Sequence, residues 1–198
     1  MILKKKISDV EIRQIAKLHY DLLGDGFLAS FGEDFLYLVY QKINLTVGST
    51  IIVYCAESRV VGFVAGGNGL KNIYLQLLKH PVQISKCVMP KLLQMSTAVK
   101  LYSLFTRKMG KNIIANKKIN SELYSICVTK EYQGSGIAES LYAELCKFFK
   151  NSDKEAFVIV VGSELSRSQS FYRKQGAEPI SRLEQGCGKH SVVFKQLL

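Results

Sequence analysis

The sequence predicts an α/β protein, in the α+β sense, with a mixed and mostly antiparallel sheet covered by helices on both faces. Two amphipathic helical segments lie near the start of the chain, and two β-branched runs separated by a short polar turn come next. A strand, loop, helix and strand unit follows in the second half. With 198 residues, we expect one domain over residues 1–198.

The first elements are an edge strand, two helices and a hairpin. Residues 2–7 read as the strand, and Ser8 or Asp9 then caps a helix that two glycines end near residue 24. Its apolar positions approximate helical spacing: Val10, Ile12, Ile15, Leu18 and Leu22. A second helix begins near residues 32–34, and residues 50–56 and 60–66 form an antiparallel hairpin of central strands.

Residues 70–120 read as an insertion. The stretch to about Phe105 is apolar, lacks glycine after residue 69 and contains Pro81 and Pro90, so it predicts two or three helical pieces. The rest is a polar, flexible connection with clustered basic residues: Arg107, Lys108, Lys111, Lys117 and Lys118. No aromatic residues interleave with these charges, so we favour a solvated loop over a nucleic-acid site.

The remaining elements follow in the order strand, helix, strand, helix and hairpin. The strand covers residues 123–129, the helix residues 137–150 and the next strand residues 156–161. A short helix over residues 168–175 and a hairpin of residues 179–183 with 191–197 close the chain.

Composition excludes several classes of protein. Hydrophobic residues are 47% and charged residues 22% of the chain, which is typical of a globular protein. No apolar run reaches membrane-spanning length, and the start does not resemble a secretory signal, so we expect a cytoplasmic protein. The five cysteines and three histidines have no metal-ligand spacing, so we predict no metal. The net charge of +11 favours anionic partners.

The chemistry-bearing segment is the loop from Val128 to Ala138, between a predicted strand and a predicted helix. Its glycines expose successive backbone N–H groups ahead of the positive end of the helix dipole, which is suited to binding a phosphate or pyrophosphate. The loop lacks the Gly-Lys-Ser/Thr ending of a P-loop and the GxGxxG spacing of dinucleotide folds.

Gln133, Gly136 and Ala138 fit the signature of Gln or Arg, two residues, Gly, one residue, then Gly or Ala, and the chain therefore resembles the GNAT N-acetyltransferases. A second match comes later, where Phe171 and Tyr172 stand ahead of Gly176. The resemblance implies the GNAT fold, with a sheet splayed at a parallel strand pair, and acetyl-coenzyme A as cosubstrate. The implied cofactor-binding residues are Ile126, Cys127 and Val128 for the pantetheine arm and Gln133, Gly134, Ser135, Gly136, Ile137 and Ala138 for the pyrophosphate. Two positions depart from the family pattern, because Leu165 replaces an Asn and Ala177 an aromatic residue.

The resemblance also implies catalytic candidates for acetyl transfer. Tyr172 matches the family tyrosine that protonates the departing thiolate, the alternative being a packed aromatic residue. Glu122 stands at the offset of the catalytic glutamate of the histone-acetylating members, although a solvated carboxylate, with water as the base, is an equal alternative. His190 on the last hairpin is a weaker candidate for acceptor contact. The loop of Phe27 to Phe31, with Glu33 and Asp34, is expected to line the acceptor side.

The acceptor is a primary amine that the sequence leaves open. The insertion resembles helices of family members associated with bacterial surface-polysaccharide clusters, which favours an amino sugar, free or nucleotide-linked. The insertion can equally form a homodimer face or additional core. A protein lysine or N-terminus is the second enzyme hypothesis. A non-catalytic module that senses acetyl-coenzyme A or binds nucleic acid is the alternative of another class.

Overall fold

A seven-stranded mixed sheet runs through the centre of the molecule. The structure is a computed structural model that describes residues 2–4, 7–24, 26, 28–77, 119–185 and 189–198. The strands are β1 (Ile2–Lys4), β2 (Ser49–Ala56), β3 (Arg59–Gly67), β4 (Glu122–Val128), β5 (Ala156–Gly162), β6 (Glu178–Gln185) and β7 (Lys189–Leu197). Their order is β1-β2-β3-β4-β5-β7-β6, and every neighbouring pair is antiparallel except β4 and β5. The predicted mixed, mostly antiparallel sheet is confirmed.

Helices cover both faces of this sheet. They are α1 (Asp9–Leu22), α2 (Glu33–Leu45), α3 (Leu70–Leu77), α4 (Ile137–Lys150) and α5 (Ser166–Lys174). Side chains of α1, α2 and α3 form one buried apolar cluster with the sheet, and side chains of α4 and α5 form a second. The two clusters lie on opposite faces because successive residues of a strand point to opposite sides, as Phe63 and Val64 of β3 do. We call these faces the α1 face and the α4 face.

Helix α1 begins at a capping box. Ser8 donates its backbone N–H to the Glu11 carboxylate at 2.8 Å, and the Ser8 hydroxyl accepts from the Glu11 backbone N–H at 3.4 Å. The buried residues of the helix are Ile12, Ile15, Ala16 and His19. Val10 is apolar but lies opposite that stripe at 100° per residue, and it is 66% exposed.

The hairpin of β2 and β3 has a two-residue turn. Both turn residues, Glu57 and Ser58, have positive φ angles, of 49° and 63°. This handedness matches the right-handed twist of the flanking strands, although neither residue is one of those that adopt it most readily. The β-branched runs that predicted the hairpin are buried on both faces, which is typical of strands inside a sheet.

Part of the predicted insertion can be compared with the structure. Residues Leu70–Leu77 are helical, as expected. Residues 78–118, with the rest of the predicted helices and the cluster of basic residues, lie outside the described residues. In the part of the chain that the structure describes, no helix has the length and apolar character needed to cross a membrane.

Candidate active site

An opening separates β4 from β5. Within the described ranges, the parallel ladder between these strands contains two pairs, Glu122 with Val158 and Leu123 with Ile159. Directly after Leu123, the pairing of β4 with β3 shifts register, which makes Tyr124 the extra residue of a β-bulge. A bulge bends and twists its strand, and β4 therefore diverges from β5 beyond this point. Among the described strands, none pairs with the edge of β4 that faces β5 between the bulge and Val128.

The loop after β4 presents a row of backbone donors. The Thr129 N–H donates to Val61 O at 2.8 Å and fixes the start of the loop against β3. Gly134 and Gly136 both have φ of 81°, a left-handed conformation that glycine adopts without strain. Among the described residues, the amides of these two glycines donate to no backbone carbonyl, and the first turn of α4 has no intrahelical acceptors for its own amides. The loop therefore offers an anion-binding concavity at a helix start.

The side chain of Gln133 is held by two hydrogen bonds within the protein. Its Nε2 donates to the Val128 carbonyl at 3.2 Å, and its Oε1 accepts from Arg167 Nη1 at 3.3 Å. Arg167 lies on the first turn of α5 and is exposed. Sequence reasoning did not identify Arg167, because it comes to the loop from an element more than thirty positions away in the chain.

Glu122 and Tyr124 lie on the α1 face of β4. Leu123 between them packs into the α4 cluster, whereas Tyr124 packs against the α1 cluster, so the alternation of the strand places Glu122 with Tyr124. Glu122 is 9% exposed. Burial raises the pKa of Tyr124 to about 12, with the neighbouring Glu122 charge acting in the same direction and Ser49 opposing it. The predicted base candidate is thus a buried carboxylate beside a tyrosine, not a solvated strand-end group.

A second polar chain reaches β4 from the helices of the α1 face. His19 Nδ1 lies 2.6 Å from the Tyr40 hydroxyl, and the Ser125 side chain is a hydrogen-bonding neighbour of Tyr40. His19 is 4% exposed, and burial lowers its pKa to about 4. The imidazole is therefore neutral at pH 7 and can accept the tyrosine proton in a hydrogen bond. This chain connects α1 and α2 to the residue that follows the bulge.

Tyr172 lies on the opposite, α4 face. Its side chain is 5% exposed and packs among aromatic rings, with centroids 5.3 Å from Phe171, 5.9 Å from Tyr142 and 6.1 Å from Phe194. Burial raises the pKa of the Tyr172 hydroxyl, which stays protonated over the neutral range. The structure does not bring Tyr172 and Glu122 together on one face of the sheet.

The other predicted residues take varied positions. Ile126 and Val128 point to the α4 face and Cys127 to the α1 face, where burial raises the pKa of its thiol. His190 is exposed on β7. On the predicted acceptor side, Glu33 and Asp34 are exposed in the first turn of α2, and Phe31 is part of the core; Phe27 lies outside the described residues. Leu165, at the position of the family Asn, is 49% exposed.

Metal-binding side chains are dispersed in the described part of the chain. No group of three or more His, Cys, Asp or Glu residues in those ranges is arranged to hold a metal ion. Cys55, Cys127 and Cys146 are free thiols.

Comparison with known proteins agrees with this geometry. The sequence model of the acetyltransferase (GNAT) family matches residues 16–177. A GNAT-family acetyltransferase structure from Desulfovibrio desulfuricans is similar over 99% of this chain and 98% of its own, with a TM-score of 0.65 at 10% identity. Arabidopsis thaliana NAA60 in complex with acetyl-CoA is similar over 100% and 98%, with a TM-score of 0.63 at 12% identity. Ribosomal-protein-alanine N-acetyltransferase from Brucella melitensis is similar over 100% of both chains, with a TM-score of 0.59 at 15% identity. No curated protein matches the sequence.

Proposed function

The chain belongs to the acetyltransferase (GNAT) family and is an acyl-CoA-dependent transferase, and from that premise we propose how its residues divide the work of acetylating a primary amine. The observation that carries the proposal is the opening between β4 and β5, with the glycine loop directly after β4. Glu122 lies at the start of β4, and Tyr172 belongs to the cluster of the α4 face. We assign the pyrophosphate to the glycine loop and the thioester to the adjoining opening.

Binding of acetyl-coenzyme A is assigned to the loop and to the unpaired edge of β4. The loop of residues 133–138 receives the pyrophosphate. Its donors are the amides of Gly134 and Gly136 and of the first turn of α4, which donate to no backbone carbonyl among the described residues. The backbone of residues 126–128 receives the pantetheine arm as an added strand partner, which the missing pairs with β5 make possible. A backbone N–H of the same segment is placed to meet the negative charge on the thioester oxygen.

The chemical step needs a base on one side and an acid on the other. The amine nitrogen attacks the carbonyl carbon, the C–S bond breaks, the amine loses a proton and the sulfur gains one. Glu122 on the α1 face takes up the amine proton, either directly or through a water molecule. Tyr172 on the α4 face donates to the sulfur, since its hydroxyl remains protonated. A thioester within the opening is accessible from both faces, which is why the two groups need not adjoin.

For the acceptor we propose an amino sugar, free or nucleotide-linked. A cleft of about 440 Å³ lies beside α3 at the end of the sheet where Glu122 stands. Its polar lining is uncharged, and amides and hydroxyls suit the hydroxyl groups of a sugar: Thr46, Ser49, Asn68, Asn72 and Gln76. The carbonyl oxygen of the Asn68 side chain is buried without a hydrogen-bond partner among the residues that the structure describes, so it can accept from such a ligand. A protein lysine or N-terminus is the second candidate, which the fold shared with an N-acetyltransferase of a ribosomal protein favours.

The test of the proposed roles is the release of thiol from acetyl-coenzyme A with panels of amino sugars, amines and peptides. Tyr172→Phe should lower kcat about 100-fold with coenzyme A affinity nearly unchanged. Tyr142→Phe is the matched control, because it removes a hydroxyl from the same aromatic cluster that instead donates to Gln196. A wild-type kcat in Tyr172→Phe would remove Tyr172 as the acid. Binding of coenzyme A without turnover of any acceptor would favour the sensing module.

A further inference from the structure

The glycine loop holds little positive charge for a ligand with several phosphates. Between β4 and α4, the charged residues are Lys130 and Glu131, which cancel. Gln133 occupies the position where the family signature accepts arginine, and both ends of its side-chain amide are already bonded within the protein. The loop thus offers dipoles and backbone donors, and its own side chains contribute no net positive charge.

Arg167 supplies that cation from another element. One guanidinium nitrogen donates to Gln133 Oε1 at 3.3 Å, and Gln133 directly precedes Gly134, so the guanidinium lies beside the loop. An arginine side chain carries five N–H donors in a fixed plane. One donor bonded to Gln133 holds the group in place, and the side chain as a whole is exposed.

The position of Arg167 is unfavourable unless an anion binds near it. It stands in the first turn of α5, where the helix dipole favours negative charge, and no acidic residue occupies that turn. The partial positive charge of the helix start disfavours a cation at such a place. Glu164, the nearest acidic residue before the helix, is exposed. A phosphate bound at the glycine loop would provide an anion for the guanidinium.

We propose that Arg167 is the cationic ligand for the phosphate groups of coenzyme A, and that Gln133 positions its guanidinium. The inference rests on the proposed binding of acetyl-coenzyme A to residues 133–138. It assigns a binding role to a residue outside the glycine loop, and it makes Gln133 a positioning residue.

The test is calorimetric binding of coenzyme A and of dephospho-coenzyme A to the full chain. Arg167→Gln should raise Kd about 10- to 100-fold, the loss expected for a charge-assisted hydrogen bond to phosphate. If Arg167→Gln loses affinity for both ligands, the group contacted is the pyrophosphate. If it loses affinity for coenzyme A alone, the group contacted is the 3′-phosphate. Arg167→Lys keeps the charge but not the planar donors, and its Kd should lie between those of the wild type and Arg167→Gln. The ligand-free thermal midpoint reports whether each variant is folded.

The control is Lys174→Gln, which removes the same charge from an exposed position at the other end of α5. It should stay within about twofold of the wild type, since charges far from the ligand are screened by salt. The salt dependence of binding should become shallower only in Arg167→Gln, a change that loss of Gln133 positioning alone would not produce. Equal Kd values for Arg167→Gln and the wild type would overturn the inference. So would equal losses of affinity in Arg167→Gln and Lys174→Gln. Failure of the wild type to bind coenzyme A would instead overturn the proposed function.

Discussion

Lowering the pH should destabilise the protein through His19. The imidazole is buried, its Nδ1 is 2.6 Å from the Tyr40 hydroxyl, and its pKa is lowered from 6.5 to about 4 by burial. In the unfolded chain the same group titrates near 6.5. Between these two values the unfolded state binds a proton that the folded state does not, so the free energy of unfolding falls as the pH falls.

The size of the effect follows from the two pKa values. Relative to pH 7, proton uptake by the unfolded state lowers the free energy of unfolding by about 2 kcal/mol at pH 5. The loss reaches about 3 kcal/mol at pH 4 and changes little below it. The stabilisation is therefore complete above pH 6.5 and is lost as the pH decreases toward the folded-state pKa. A loss of this size is a large fraction of the stability of a typical domain.

The measurement is urea unfolding of the wild type and His19→Asn at pH 7 and pH 5. The asparagine can still bond to Tyr40 but does not titrate. The variant should be less stable than the wild type at pH 7. Its free energy of unfolding should fall by about 2 kcal/mol less than that of the wild type between the two pH values. Carboxylates titrate equally in both proteins and cancel in the difference. His190→Asn, at an exposed site on β7, controls for removal of a histidine. Parallel losses in wild type and His19→Asn would refute the reasoning.

Three further substitutions test local features of the chain. Gly136→Val should lower both the thermal midpoint and coenzyme A affinity, because a β-branched residue is strained at φ of 81°, and Gly136→Asn should be milder; equal effects of the two would contradict a conformational cause. Ser8→Ala should cost about 1 kcal/mol of unfolding free energy in urea titrations, whereas Ser8→Thr should retain most of the cap. Ser58→Gly should stabilise the β2–β3 hairpin by about 0.5 kcal/mol, since it relieves the positive φ of the turn, and a loss of stability would mean that chain entropy dominates there.

Helices and strands were predictable where the periodic spacing of apolar residues extended over many residues and a capping or breaking residue marked each end. Helix α4 begins and ends where the sequence predicts, because its apolar residues keep helical spacing and Gly136 precedes it. In α1 the apolar spacing did not separate the exposed Val10 from the buried positions. It also did not indicate His19 as a core residue, since a polar side chain on the buried stripe is recognisable only once its partner is known. That partner, Tyr40, comes from another helix.

The candidate site was predictable only as far as its motifs are local. The glycine loop and the Phe171–Tyr172 segment are contiguous, so spacing alone locates them. The bulge at Tyr124 arises from the register between β3 and β4, and the bond of Arg167 to Gln133 joins residues far apart in the chain. Neither leaves a local pattern, because strand register and contacts between elements are properties of the assembled sheet.

The opening between β4 and β5 also affects how the molecule unfolds. The two ladder pairs found between described residues are a weak backbone connection between the first four strands of the sheet and the last three. Helix α4 joins the two parts through its side chains, since Phe149 packs beneath Gly66 of β3 and its ring lies 4.9 Å from that of Phe157 on β5. Cooperativity between the two half-sheets therefore depends on the packing of one helix rather than on continuous backbone pairing.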